Sequence, residues 1–85
     1  MGVSISAATA QGLEGVGFIA TRENDAAHRC FVTREALEDV EYALFDSPQA
    51  MLEAFLRHQE QVARAAEHAM AAPGAGDPLR LQSLL

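Results

Sequence analysis

Lysine and tryptophan are absent from this 85-residue sequence, which has one cysteine, one tyrosine and three prolines. A single thiol excludes an intramolecular disulfide framework, and no Cys/His cluster offers the four ligands of a structural zinc site. Six arginines face twelve acids, for a net charge of −6. A surface that tracks phosphates needs clustered cations, so nucleic-acid binding is excluded, and the same deficit disfavours an anionic membrane surface. No basic segment leads an apolar stretch and no run approaches about 18 apolar residues, so neither a signal peptide nor a membrane span is expected. Met1-Gly2-Val3-Ser4-Ile5-Ser6 has the form of a myristoylation site, but without a polybasic patch it reads as a chance match. The free thiol points to a reducing cytoplasm. Arginine and alanine without lysine reflect a GC-rich coding bias rather than a function.

What is present is largely alanine. It supplies 17 of the 42 residues behind the 49% hydrophobic content, which leaves 25 larger apolar side chains. A chain this short is marginal without disulfides, a metal or a partner, so self-association is the natural supplement.

Along the chain, residues 1–14 are small and polar, and Val3 and Ile5 hint at an edge strand. Val16, Phe18 and Ala20 alternate with Gly17 and Ile19, which predicts a strand over 15–21. Glu23-Asn24-Asp25 has turn chemistry, and 28–33 follows as the second strand of a hairpin, with His28, Cys30 and Val32 on one face. Thr33 is suited to cap a helix over about 34–45, where Leu37, Val40, Glu41 and Leu44 follow helical spacing with Glu41 the polar exception. Asp46-Ser47-Pro48 stops that helix and starts another. The second, long and amphipathic, is expected over about 48–72, with one stripe of Leu52, Phe55, Gln59, Val62, Ala66 and Met70, broadened by Met51, Leu56 and Ala63. Its outer half is alanine-rich and suited to close approach by another helix. Pro73-Gly74-Ala75-Gly76-Asp77-Pro78 reads as a linker, and Leu79, Leu81, Leu84 and Leu85 as a flexible tail. The fold class is therefore α+β, a short antiparallel sheet of two or three strands followed by two helices. Residues 1–72 form the single domain and 73–85 the linker and tail.

Chemistry-bearing residues are few. Gly12, Gly15 and Gly17 precede a strand instead of joining a strand to a helix, so backbone freedom explains them better than phosphate binding. Cys30 and His28 share a strand face but are too far apart for a thiolate–imidazole bond, and Cys30 beside Val32 reads as a small core residue. His58 and His68 are about 80° apart around a helix and about 15 Å apart along it, which excludes a shared metal. The acids Glu35, Glu38, Asp39, Glu41 and Asp46 form a solvated face that could also meet a basic partner. No catalytic, cofactor-binding or metal-binding residue is assigned.

Three segments carry a resemblance: Gly17-Phe18-Ile19-Ala20, then Cys30-Phe31-Val32-Thr33-Arg34-Glu35-Ala36-Leu37, then Phe55-Leu56-Arg57-His58-Gln59 with Val62 and Ala66. In this order the chain resembles a bacterial family of uncharacterised proteins, Domain of Unknown Function 1488, over roughly residues 15–68. The resemblance implies a short antiparallel sheet followed by two helices, the second long, and it implies no site. Gln59 stands where members often carry arginine, so a role resting on that charge does not carry over.

The functional expectation is a cytoplasmic, non-enzymatic protein-interaction or regulatory module that acts as a homodimer through the long C-terminal helix, with the tail as an optional further contact. An acidic adaptor or chaperone-like binder of a basic protein is the alternative, and a thiol enzyme using Cys30 is a more remote one. No cofactor, nucleic acid or membrane partner is expected.

Overall fold

A computed structural model describes residues 3–23, 27–71 and 76–84. The order is β1 (Val3–Gln11), β2 (Gly15–Arg22), β3 (Ala27–Thr33), α1 (Arg34–Glu41), α2 (Pro48–Arg57), α3 (Gln59–Met70) and β4 (Leu79–Leu81). The strands form one sheet in the order β1-β2-β3-β4. β1–β2 and β2–β3 are antiparallel, and β3–β4 is parallel. Helices cover one face, which is the α+β arrangement.

Alternation decides which face is covered. Val16, Phe18 and Ala20 pair in register with Val32, Cys30 and His28, and all but His28 are buried. Phe18 meets Phe55 of α2 with ring centroids 5.2 Å apart, so the aromatic pair joins sheet to helix at the centre of the core. In β1, Val3 and Ile5 pack on that core, as do Ala8 and Ala10, although strict alternation would have placed Ala7 and Thr9 inward. The register explains the change of parity. Ser6 pairs with Ile19 and Thr9 with Gly17, so β1 carries one extra residue there. Ala7, at φ 56°, takes up this bulge and keeps Thr9 in solvent.

Two glycines are needed where they stand. Gly12, at φ 57°, makes the β1–β2 turn, and a Cβ on Gly15 would lie 2.2 Å from the Val32 carbonyl oxygen. Both belong to the strand entrance, as the order of the glycines implied.

The helix starts match the sequence reading. Thr33 Oγ1 accepts from the Ala36 amide at 3.2 Å, Ser47 Oγ accepts from the Ala50 amide at 3.1 Å, and Pro48 opens α2. The helix ends do not match. α1 stops at Glu41, four residues short of the expected end, because Tyr42 turns left-handed at φ 57° and sends its amide back to the Glu38 carbonyl. The Glu38 carboxylate accepts from the Phe45 amide at 3.2 Å. That bond turns Phe45 toward the core and leaves Leu44, expected in the apolar stripe, in solvent.

The long helix is two helices. His58 leaves helical geometry at φ −111° and ψ 26°, while its amide still reaches the Ala54 and Phe55 carbonyls and its carbonyl still accepts from Val62. The break reorients the stripe, so Met51, Ala54 and Phe55 bury from α2 and Val62 and Ala66 from α3. Leu52 lies only at the margin of the core.

The tail is part of the sheet. Leu79 and Leu81 are buried, and Cys30, Phe31 and Val32 pair with Leu79, Arg80 and Leu81. An alternating Leu-Arg-Leu beside a strand of matching alternation completes the sheet because its leucines enter the same core as Val32. Arg29 then makes a bidentate pair with Asp77, at 3.2 and 2.9 Å, just ahead of β4. The alanine side of α3 packs against its own β1 and β4, the surfaces that a second helix was expected to supply. The proposed turn residues Asn24 and Asp25, the helix end at Ala72, the linker residues Pro73, Gly74 and Ala75, the Met1-Gly2 motif and Leu85 lie outside the described residues.

Candidate functional site

The densest polar constellation lies where α1 ends and α2 meets α3. Glu41 was the one polar residue on the apolar stripe of α1, and its carboxylate gathers two partners from the break between the later helices. Oε2 accepts from Arg57, and Oε1 lies 2.8 Å from His58 Nε2. The other ring nitrogen, Nδ1, lies 2.6 Å from Gln61 Oε1. As placed, both of its neighbours accept, so both nitrogens must donate, whereas turning the Gln61 amide end for end lets a neutral ring serve. Hydrogen bonds from Arg57 and then His58 hold the Glu41 carboxyl below its ordinary range.

This arrangement is a brace. It ties the C-terminus of α1 to the α2–α3 junction across sixteen and seventeen residues of sequence. Chemically it resembles a base with its orienting acid, but both imidazole nitrogens are occupied, which leaves none to take a proton from a substrate. Sequence reading singled out Glu41 and His58 separately and missed their meeting. The readable signal was the carboxylate at an apolar stripe position.

The brace fixes a loop that carries the most exposed large apolar side chains among the described residues. Tyr42 is 89% exposed and Leu44 86%, each flanked by acids of α1 and by Asp46. Both ends of this loop are pinned, by the Tyr42 amide on Glu38 and by the Phe45 amide on the Glu38 carboxylate. Tyrosine on a pre-formed loop gives a large contact area with little ordering entropy to lose.

The other candidates are separated. Cys30 is 3% exposed, its Sγ lies 3.6 Å from the His28 carbonyl oxygen, and burial pushes the thiol up from its ordinary range. A buried thiol with a raised pKa is a poor nucleophile. Among the described residues there is no group of three His, Cys, Asp or Glu side chains placed to hold a metal. No described helix is long and apolar enough to cross a membrane.

Two grooves remain. One of about 490 Å³ lies between α3 and the β4 segment, with Arg64, His68 and Gln82 over a floor of Ala65, Leu81 and Leu84. Arg80 borders it, but its guanidinium lies 5.1 Å above the Phe31 ring, on the sheet face away from the helices. One exposed arginine and one exposed histidine on one helix provide little binding energy in water. The second groove, of about 460 Å³, follows β1, with Val3, Ile5, Leu56 and Ala63 along it and Arg57 and Glu60 at its rim.

A family model described as Protein of unknown function (DUF1488) matches residues 11–81. The chain belongs to this family. The match extends beyond the 15–68 expected from sequence and takes in both the Gly12 turn and β4. Neither a curated protein nor a solved structure matches the chain.

Proposed function

We propose that this DUF1488 member is a small non-catalytic protein-interaction module acting as a homodimer. One observation carries the reading. Tyr42 and Leu44 stand in solvent on a loop held from three sides, where a folded chain gains nothing for itself by placing them. Large apolar side chains on a rigid tip suit insertion into a partner's pocket. Dimerisation gives such a module two tips, which raises its effective affinity for a paired or repeated partner.

The chemistry around the tip favours one class of partner. Asp39 and Asp46 are exposed three and four residues either side of Tyr42, while the charge of the adjacent Glu41 is taken up by Arg57, so an apolar pocket rimmed by basic side chains is the complement. This supports the acidic-adaptor reading as the specific form of the general one. The buried sulfur of Cys30 lends no support to a thiol enzyme.

The test combines self-association with contact at the tip. Sedimentation should give a dimer at micromolar concentration. A photo-crosslinker at position 42 should trap one discrete adduct in a cell extract, lost in Leu44→Ser and weakened by charge reversal at Asp39. A clean monomer at high concentration, or crosslinking no different from that of a probe at Glu53, overturns the proposal.

A further inference from the structure

We infer that the homodimer forms through the free edge of β1, two copies pairing antiparallel into one continuous sheet across a two-fold axis. This rests on the dimer reading above and names its surface. β1 is an outer strand of the sheet, nine residues long, and no strand among the described residues pairs with its second side. A free edge of that length presents a row of unpaired amides and carbonyls, a template for another strand.

Charge selects a second copy as the occupant. The chain carries a net charge of −6, so two copies repel wherever their acidic surfaces approach. From Val3 to Leu13 there is no charged residue, the first acid after Val3 being Glu14. Here a strand meets its own image without like charges facing each other. Edge strands that must stay unpaired carry lysine, proline, inward charge or a bulge; β1 carries only the bulge at Ala7, which leaves Val3–Ser6 and Thr9–Gln11 as regular stretches on either side.

The surface beside the edge also fits. The groove along β1 exposes Leu56, about half accessible, beside Val3 and Ile5, and its rim holds one arginine and one glutamate. A two-fold axis makes such a surface self-complementary, because each copy offers what the other needs. A nine-residue strand runs about 30 Å, and the molecule is 21–22 Å across its shorter axes. A seam of that length that used the full thickness of the molecule would bury at most on the order of 1,200 Å² in total, the lower end of a stable interface.

The experiment is sedimentation of wild type and of Ser4→Lys/Ser6→Lys across the micromolar range, with circular dichroism melts of both. Ser4 and Ser6 are exposed, so folding should survive. Two lysines also reduce the net negative charge, which by itself would favour association. The expected result is a wild-type dimer whose association weakens about tenfold or more in the variant, with the melt of the monomer unchanged. Amide exchange over Val3–Gln11 should slow with rising wild-type concentration. A dimer insensitive to the lysines, with exchange in β1 independent of concentration, overturns the β1 seam while leaving the homodimer standing. A wild-type monomer throughout overturns both. A partner strand from a different protein that protects β1 in a monomeric wild type also overturns self-pairing.

Discussion

The two edges of the sheet solve the same problem in opposite ways. β4 is three residues long, carries Arg80 at its centre, and is held by two buried leucines and the Arg29–Asp77 pair. β1 is three times as long, uncharged, and anchored only by half-buried small and β-branched side chains. The short charged edge offers a second chain little to pair with, whereas the long neutral edge offers a great deal. One edge is closed by its own chain, and the other is left in a state suited to a neighbour.

That contrast can be broken from the middle outward. Phe55→Ala removes the ring that meets Phe18 beneath both edges and should cost about 3–5 kcal/mol. A domain of this size has little more than that to lose, so urea titration should show a largely unfolded population. Loss of β1 and β4 protection together would show that one core holds both. Leu81→Ala acts on one edge alone, with an expected cost of about 2–4 kcal/mol. Hydrogen exchange should then show β4 opening while β1–β2 protection persists below the new unfolding limit. Equal loss at both edges would refute their independence.

A smaller effect should come from the bulge. Ala7 holds a left-handed conformation that costs an L-residue about 1–2 kcal/mol, so Ala7→Gly should raise stability by about 0.5–1 kcal/mol after its own entropy loss. Ala7→Val should lower it, and thermal melts of the pair would show opposite shifts.

The smallest effect belongs to the latch ahead of β4. The Arg29 guanidinium holds the Asp77 carboxyl below its ordinary range, and Arg57 with His58 does the same for Glu41. A carboxylate with a lowered native pKa adds stability above its ordinary range and loses it as pH falls through that range into the native value. Melting temperature should therefore fall on acidification. Arg29→Ala should flatten only a minor part of that slope, since both partners are exposed and screened, and added salt should mimic it. A slope unchanged in Arg29→Ala would show that Asp77 contributes nothing to the latch.

Local signals made half of this molecule readable in advance. The alternation of Val16, Phe18 and Ala20, the caps at Thr33 and Ser47, and Pro48 depend on neighbours within one turn, so the hairpin and both early helix starts were legible. The rest depended on residues far apart in sequence. The helix break at His58 has no proline or glycine to announce it, and its partner Glu41 lies seventeen residues earlier. β4 is too short for periodicity and follows a proline- and glycine-rich stretch, so its leucines looked like tail until Val32 and Cys30 were seen beside them. The exposure of Leu44 hung on a single bond from Glu38 to the Phe45 amide. The family resemblance conveyed the architecture and no site.

The parallel pairing of β4 with β3 has a consequence for how the chain comes to be folded. Cys30 must wait for Leu79, with all three helices synthesised in between. The β1–β2–β3 meander needs only near neighbours and can assemble early, and closing the sheet carries the entropy of a loop of nearly fifty residues. Until residue 81 has left the ribosome, the nascent protein has two open edges instead of one. In that interval β3 is as available to a stray strand as β1, and a chaperone or a second nascent chain would meet it first.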